Sequence, residues 1–166
     1  MSGDLAWIRG DLRIKADVLR EIEQHALTTF PKECCGFLVG PSDDIPLLDE
    51  AIAEVNEADK YHAIDPETFP RTAETYFKIN ELRASRTFDR GAKSGRPVKV
   101  IYHSHCNAGP YFSAEDAATF ARDNTLMWPC AFVVVSVVDG ALAGRKLWVH
   151  AEGTNEFKES SLEVVD

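Results

Sequence analysis

No stretch of this chain is apolar for long enough to cross a bilayer. A spanning helix needs about 20 consecutive apolar residues, and the longest run here, Ala131–Val138, is short and broken by Ser136. Residues 1–11 hold no apolar core, because Asp4, Arg9 and Asp11 interrupt it, so a secretory leader is not expected. Positive charge is also scarce: Lys and Arg total 18 against 27 Asp and Glu, a net charge of −9. That balance argues against sequence-independent binding to nucleic acid, which sets cations against phosphates. Cysteines number only 4 and show no C-x-x-C spacing, which excludes a disulfide framework as the basis of the fold. Reduced thiols and a cytoplasmic location are the expectation. No internal repeat or low-complexity tract is present.

What remains is an ordinary globular composition in 166 residues, 45% apolar and 27% charged. It predicts one domain, residues 1–166 with a core from about residue 11 onward, long enough to bury its apolar surface unaided. Apolar spacing predicts a helix over residues 15–29, with Leu19, Ile22 and Ala26 on one face and Pro31 as its stop. Cys35–Val39 reads as a buried strand closed by Gly40-Pro41, and residues 51–55 as a second. Asp65-Pro66-Glu67 predicts a second helix, with Asp65 as N-cap, Pro66 in first helical position and Phe69, Ala73, Tyr76 and Asn80 along one face. Residues 83–96, polar with Gly91 and Gly95, read as a helix end and exposed loop. Further on come a strand over 98–103 and a short helix over 113–123 with Ala117, Phe120 and Ala121 facing inward. Strands 131–138 and 146–150 pair around Asp139-Gly140, with Gly144 as a candidate bulge, and 157–165 supplies a last strand. Strands interleaved with helices give an α/β or α+β class.

The chemistry concentrates in His103-Ser104-His105, followed after seven residues by Ser113-Ala114-Glu115-Asp116. In a strand, residues i and i+2 share a face, so His103 and His105 offer two nitrogens to one point while Ser104 turns away. A catalytic zinc site takes three imidazole or carboxylate ligands and keeps water in the fourth position. His103, His105 and Asp116 form such a set. The plainer readings are a hydrogen-bonded core histidine and, for Ser113-x-x-Asp116 before an apolar helix, a capping box. Both readings hold together if one Asp116 oxygen faces metal and the other takes a backbone donor. Glu115, one position off, should point elsewhere on the helix.

This spacing resembles the signature of the JAMM (MPN-plus) metalloproteases, zinc isopeptidases that include deubiquitinating enzymes and prokaryotic JAB-domain relatives. Pro31-Lys32-Glu33-Cys34-Cys35-Gly36, about seventy residues upstream, matches the family's glutamate motif. The likeness extends less sharply to Asn56-Glu57-Ala58, to Tyr61-His62-Ala63-Ile64-Asp65-Pro66 and to the strand from Phe132. The resemblance implies a curved mixed β-sheet flanked by helices, layered as in cytidine deaminases, with Zn²⁺ at the end of the strand bearing His103. It implies Glu33 as general base on the water at the fourth position and Ser113 as a stabiliser of the oxyanion. It also implies a substrate that is a ubiquitin-like or sulfur-carrier protein with a Gly-Gly tail, in bacterial relatives with release of a C-terminal residue such as cysteine. An extended tail lying along the sheet edge is expected to dock there by main-chain hydrogen bonds.

Cys106 departs from the family, which commonly has proline after His-x-His. It follows His105 directly, which raises thiol catalysis as an alternative, although neighbours in the chain rarely reach nucleophile-to-base geometry. An oxidisable pairing of Cys106 with Cys34 or Cys35 is a second alternative, and a non-catalytic MPN-type interaction module a third. His25, His62 and His150 lack ligand spacing and read as surface or supporting residues. Residues 107–112 read as a loop over the site, with Tyr111 and Phe112 packing it.

Overall fold

Every residue of β5 (Val98–Cys106) except Cys106 is buried, and the molecule is organised around this strand. In the computed structural model, which describes residues 5–166, β5 runs parallel to β8 (Ala131–Val138) and antiparallel to β2 (Cys35–Val39). The expectation of no leader over residues 1–11 falls partly outside the described residues. β4 (Glu50–Glu54) extends the sheet beyond β2, while β9 (Ala141–His150) and β10 (Phe157–Ser160) extend it beyond β8. The order is β10-β9-β8-β5-β2-β4, with β5 and β8 its parallel pair, so the sheet is mixed as expected. A separate parallel sheet joins β11 (Leu162–Val165), β1 (Leu12–Lys15) and β3 (Leu47–Leu48).

Alternation along β5 divides the core. Val100 and Tyr102 meet α1 (Ala16–Thr29), whose Val18, Leu19, Ile22 and Ala26 form its buried face. Ile101 and the histidines point to the other side, where Phe37, Phe132 and Phe120 gather under α3 (Glu81–Lys93) and α4 (Ala114–Phe120). Opposite Leu38 and Val39 the register shifts, leaving Lys99 as an extra residue in β5. Such a bulge re-aims a side chain. Lys99 is fully buried, and its Nζ donates to the carbonyls of Pro41, Asp44 and Leu47 at 2.8, 2.9 and 3.0 Å.

Two expectations are corrected. The helix predicted from Asp65 does not form: α2 (Ala58–Ile64) ends there instead. Asp65 does accept the Thr68 N–H through its side chain, and Phe69 N closes one turn onto Asp65 O. Pro70 then stops propagation, since it has no N–H and drives Phe69 out of the helical region. Residues 83–96, read as a helix end followed by an exposed loop, lie largely in α3, capped by Asn80 through Arg83 N. Its buried residues are only Ala84 and Thr87, too small and polar to show an apolar period. At the last hairpin the reading holds. Asp139 and Gly140 have φ of 51° and 79°, as a tight turn between twisted strands requires. Gly144 (φ 116°) lies in the β9 bulge beside the Val135/Val137 register shift. The last strand divides into β10 and β11. No helix among the described residues is long and apolar enough to cross a membrane.

Candidate metal centre

His103 and His105 emerge on one face near the end of β5, while Ser104 turns to the other and accepts the Cys34 N–H at 2.7 Å. Across from them α4 begins. Ser113 Oγ accepts the Asp116 N–H and Asp116 Oδ2 accepts the Ser113 N–H, both at 3.0 Å, which completes the capping box. That closure swings the Asp116 carboxylate back over the helix start and onto the histidines. His103 Nε2 lies 3.1 Å and His105 Nε2 3.2 Å from Asp116 Oδ2. The expected division of labour between the two oxygens is therefore corrected. Oδ2 alone faces both rings and the backbone donor, because the folded-back N3 side chain brings one oxygen to all three.

One ligand atom from each of His103, His105 and Asp116 lies within 4.8 Å of the other two, and all three residues are buried. The donor set fits zinc. His105 Nδ1 donates to Gly109 O at 2.8 Å, which turns Nε2 toward Asp116, and in the neutral ring that nitrogen offers its lone pair to a metal. Phe77 stacks on His103 at 4.3 Å and 22°, fixing that ring's plane. Burial by itself would raise the Asp116 pKa. The charge and hydrogen bond of His103, then the bonds from His105 and Ser113, outweigh it and hold the group below the usual carboxylate range.

Glu33 stands two residues before the β2–β5 pairing begins and shares a cleft of about 230 Å³ with His105, Ser113 and Cys106. Its backbone is tied down on both sides: Glu33 N donates to Ala73 O at 2.7 Å, and Asn56 Nδ2 donates to Glu33 O at 2.9 Å. Burial, then the negative charge of Asp116, push its pKa up to about 9 against the opposing pull of Arg71. Ser113 Oγ spends a lone pair on Asp116 N, which leaves its O–H free to donate into the cleft.

Glu115 is absent from the ligand cluster, as expected, but lines the cleft and pairs with Arg71 at 3.3 Å. Arg71, Glu74 and Thr75 on the opposite wall were not anticipated, nor was Phe77. All belong to the irregular segment after Pro70, where no period marks them. His25, His62 and His150 lie outside the cluster and bond to Tyr102 Oη, Phe69 O and Thr154 O. The 107–112 loop does cover the site. It is held by Gly109 O on His105, Pro110 O on Trp148 Nε1 and Ala108 O on Ser136 Oγ. Tyr111 sets its ring edge to His105 at 5.0 Å, and Phe112 packs on Phe157.

All four thiols are free. Burial raises Cys34 to about 11 and Cys106 to about 12, leaving almost no thiolate at neutral pH. Both nitrogens of His105 are committed to Gly109 and Asp116, so the imidazole beside Cys106 is not available as its base.

The chain matches the family described as prokaryotic homologs of the JAB domain over residues 15–150. No functionally curated protein matches it. Among solved structures it resembles protein DSY2949 from Desulfitobacterium hafniense, with a TM-score of 0.68, 17% identity and 93% of each chain covered. A protein from Salinibacter ruber gives 0.61 and 24%, over 93% of this chain and 92% of that one. AF2198, a JAB1/MPN domain protein from Archaeoglobus fulgidus, gives 0.54 and 18%, over 94% and 99%. At these identities the likeness is one of fold.

Proposed function

The chain belongs to the prokaryotic homologs of the JAB domain, and on that premise we propose that it is a zinc-dependent metallopeptidase. Its substrate would be a ubiquitin-like or sulfur-carrier protein, cut after a C-terminal Gly-Gly tail. The observation that carries this reading is the meeting of His103 Nε2, His105 Nε2 and Asp116 Oδ2 beside a buried glutamate in an open cleft. His103, His105 and Asp116 would hold the ion. Zinc bound there supplies a lowered pKa for water, about 7, and polarisation of a carbonyl oxygen.

The remaining steps belong to the chain. Glu33, without the ion, favours its protonated form at neutral pH. A divalent charge beside it favours the carboxylate instead, the form that accepts a proton. Glu33 takes a proton from the attacking water and returns it to the departing amine. Ser113 donates its free O–H to the oxyanion as it develops. Phe77 and the Gly109 carbonyl keep the imidazoles from turning.

The approach of substrate differs from the sequence expectation. β5 is interior to the sheet, whose edges are β10 and β4, so the strand that bears the histidines is not itself a free edge for a tail to pair with. An entry at the strand end, between the 107–112 loop and the segment carrying Arg71, is supported by the cleft those two segments line. Glycines suit so narrow an entrance because they allow close backbone approach.

The test is mass spectrometry of a sulfur-carrier protein bearing one extra C-terminal residue, incubated with zinc-loaded enzyme. Loss of that residue alone is expected, abolished by a chelator and reduced about 10²–10⁴-fold by Glu33→Gln. Casein digestion with the carrier untouched, or cleavage indifferent to the chelator, would sink the proposal.

A further inference from the structure

Among the described residues lining the cleft, Arg71 is the one permanent cation, set against the carboxyl groups of Glu33, Glu74 and Glu115. It stands on the wall opposite α4 and reaches across. Its Nη2 lies 3.3 Å from Glu115 Oε2, and its Nη1 makes only a long 3.5 Å contact with Thr75 O. Both side chains of the pair are 44% exposed. A pair so exposed adds little to stability, since water screens it and two long side chains must be ordered to form it. The guanidinium is thus held by a carboxylate that a second carboxylate could replace. Arg71 and Glu33 line the same small cleft, so an anion on Arg71 would lie near the proposed general base. The cleft, at about 230 Å³, is below the ordinary range for small-molecule sites. It has room for a short piece of chain, not for an elaborated ligand.

We propose that Arg71 is a specificity-determining residue: it binds the free α-carboxylate of the substrate's last residue, displacing Glu115, so that a single C-terminal amino acid is released. This rests on the hydrolase reading above and names the residue that would recognise the chain end. Planar guanidinium matches carboxylate by paired N–H···O bonds, which a carboxamide cannot reproduce. The reaction consumes one water. Its oxygen bonds to the glycine carbonyl carbon, the C–N bond breaks, and one water proton ends on the amine of the released amino acid.

Calorimetry on the metal-free protein separates this from the hydrolase reading, because no ion is then present to take the carboxylate. The probes are acetyl-Gly-Gly-Ala with a free C-terminus and the same peptide as its C-terminal amide. The acid should bind about tenfold tighter than the amide, as one charge-assisted contact implies. Arg71→Gln should abolish that preference while leaving the amide's affinity unchanged. Glu115→Gln, which frees the guanidinium, should tighten the acid alone. In zinc-loaded enzyme the same preference should appear in KM more than in kcat. Equal binding of acid and amide to the unaltered protein would overturn the inference, as would an Arg71→Gln variant weakened equally toward both. Selective acid binding, with the sulfur-carrier adduct left uncleaved by zinc-loaded protein, would support the Arg71 site and overturn the hydrolase reading instead.

Discussion

Replacing Asn56 by alanine removes four hydrogen bonds with one substitution. Its Nδ2 donates to Glu33 O at 2.9 Å and Tyr76 O at 3.0 Å, and its Oδ1 accepts from Ala58 N at 2.9 Å and Lys78 N at 3.0 Å. Those bonds join the end of β4, the start of α2, the base of Glu33 and the irregular 65–80 segment. A typical hydrogen bond contributes about 0.5–1.5 kcal/mol net, which would give roughly 2–6 kcal/mol for four. The site is only partly buried, so water recovers some of the loss, and the expected cost is about 3 kcal/mol. Urea denaturation reads this directly. With a slope of about 2 kcal/mol per molar, the midpoint should fall by roughly 1.5 M with the slope unchanged. Because Asn56 holds Glu33 and not the metal ligands, zinc content should stay the same while turnover falls. A stability loss under about 1 kcal/mol would refute the view that this side chain ties the site together.

The zinc centre predicts about one ion per chain in protein made without a histidine tag, lost in His105→Ala and kept in Glu33→Gln; elemental analysis decides it. Removal of the ion by a chelator should also lower the melting temperature, since binding favours the folded state. Glu33 makes the metal-free protein pH-sensitive. Its pKa rises on folding from an ordinary 4.5 to about 9, so between those values the folded chain holds more protons than the unfolded one. Its stabilising contribution is full below 4.5 and lost as pH rises toward 9. Metal-free Glu33→Gln should lack this slope, and parallel stability-versus-pH curves would contradict it. Lys99→Met strands the carbonyls of Pro41, Asp44 and Leu47. Each orphan costs about 1–3 kcal/mol, partly offset by no longer burying a charge, so a net loss of about 3 kcal/mol in chemical denaturation is expected. A gain in stability would show that the ammonium is a burden at that bulge.

Legibility followed periodicity. The strands Cys35–Val39 and Ala131–Val138 were plain because both sheet faces are covered, which demands unbroken apolar residues. α3 escaped because a helix that buries mainly Ala84 and Thr87 leaves no apolar stripe to count. The 65–80 segment was misread because Asp65-Pro66 is a sound helix start, and its single turn does form. Pro70, four residues further on, overrules it.

The candidate metal ligands could be found in the amino-acid order because their geometry is local. Alternation places His103 with His105, and a capping box throws Asp116 toward its own helix start; both are rules of short-range backbone sterics. Parallel pairing of β5 with β8 brings no ligand of its own, yet it places that strand, and with it the histidines, inside the sheet. Glu33, Arg71 and Phe77 come to the site from segments tens of residues away from the histidines; a motif marked Glu33, but no spacing marked Arg71 or Phe77. Nor does composition announce that one lysine in β5 is buried, since a bulge of a single residue turned it inward. Short-range geometry wrote the ligand set into the chain, and long-range packing built the cleft around it.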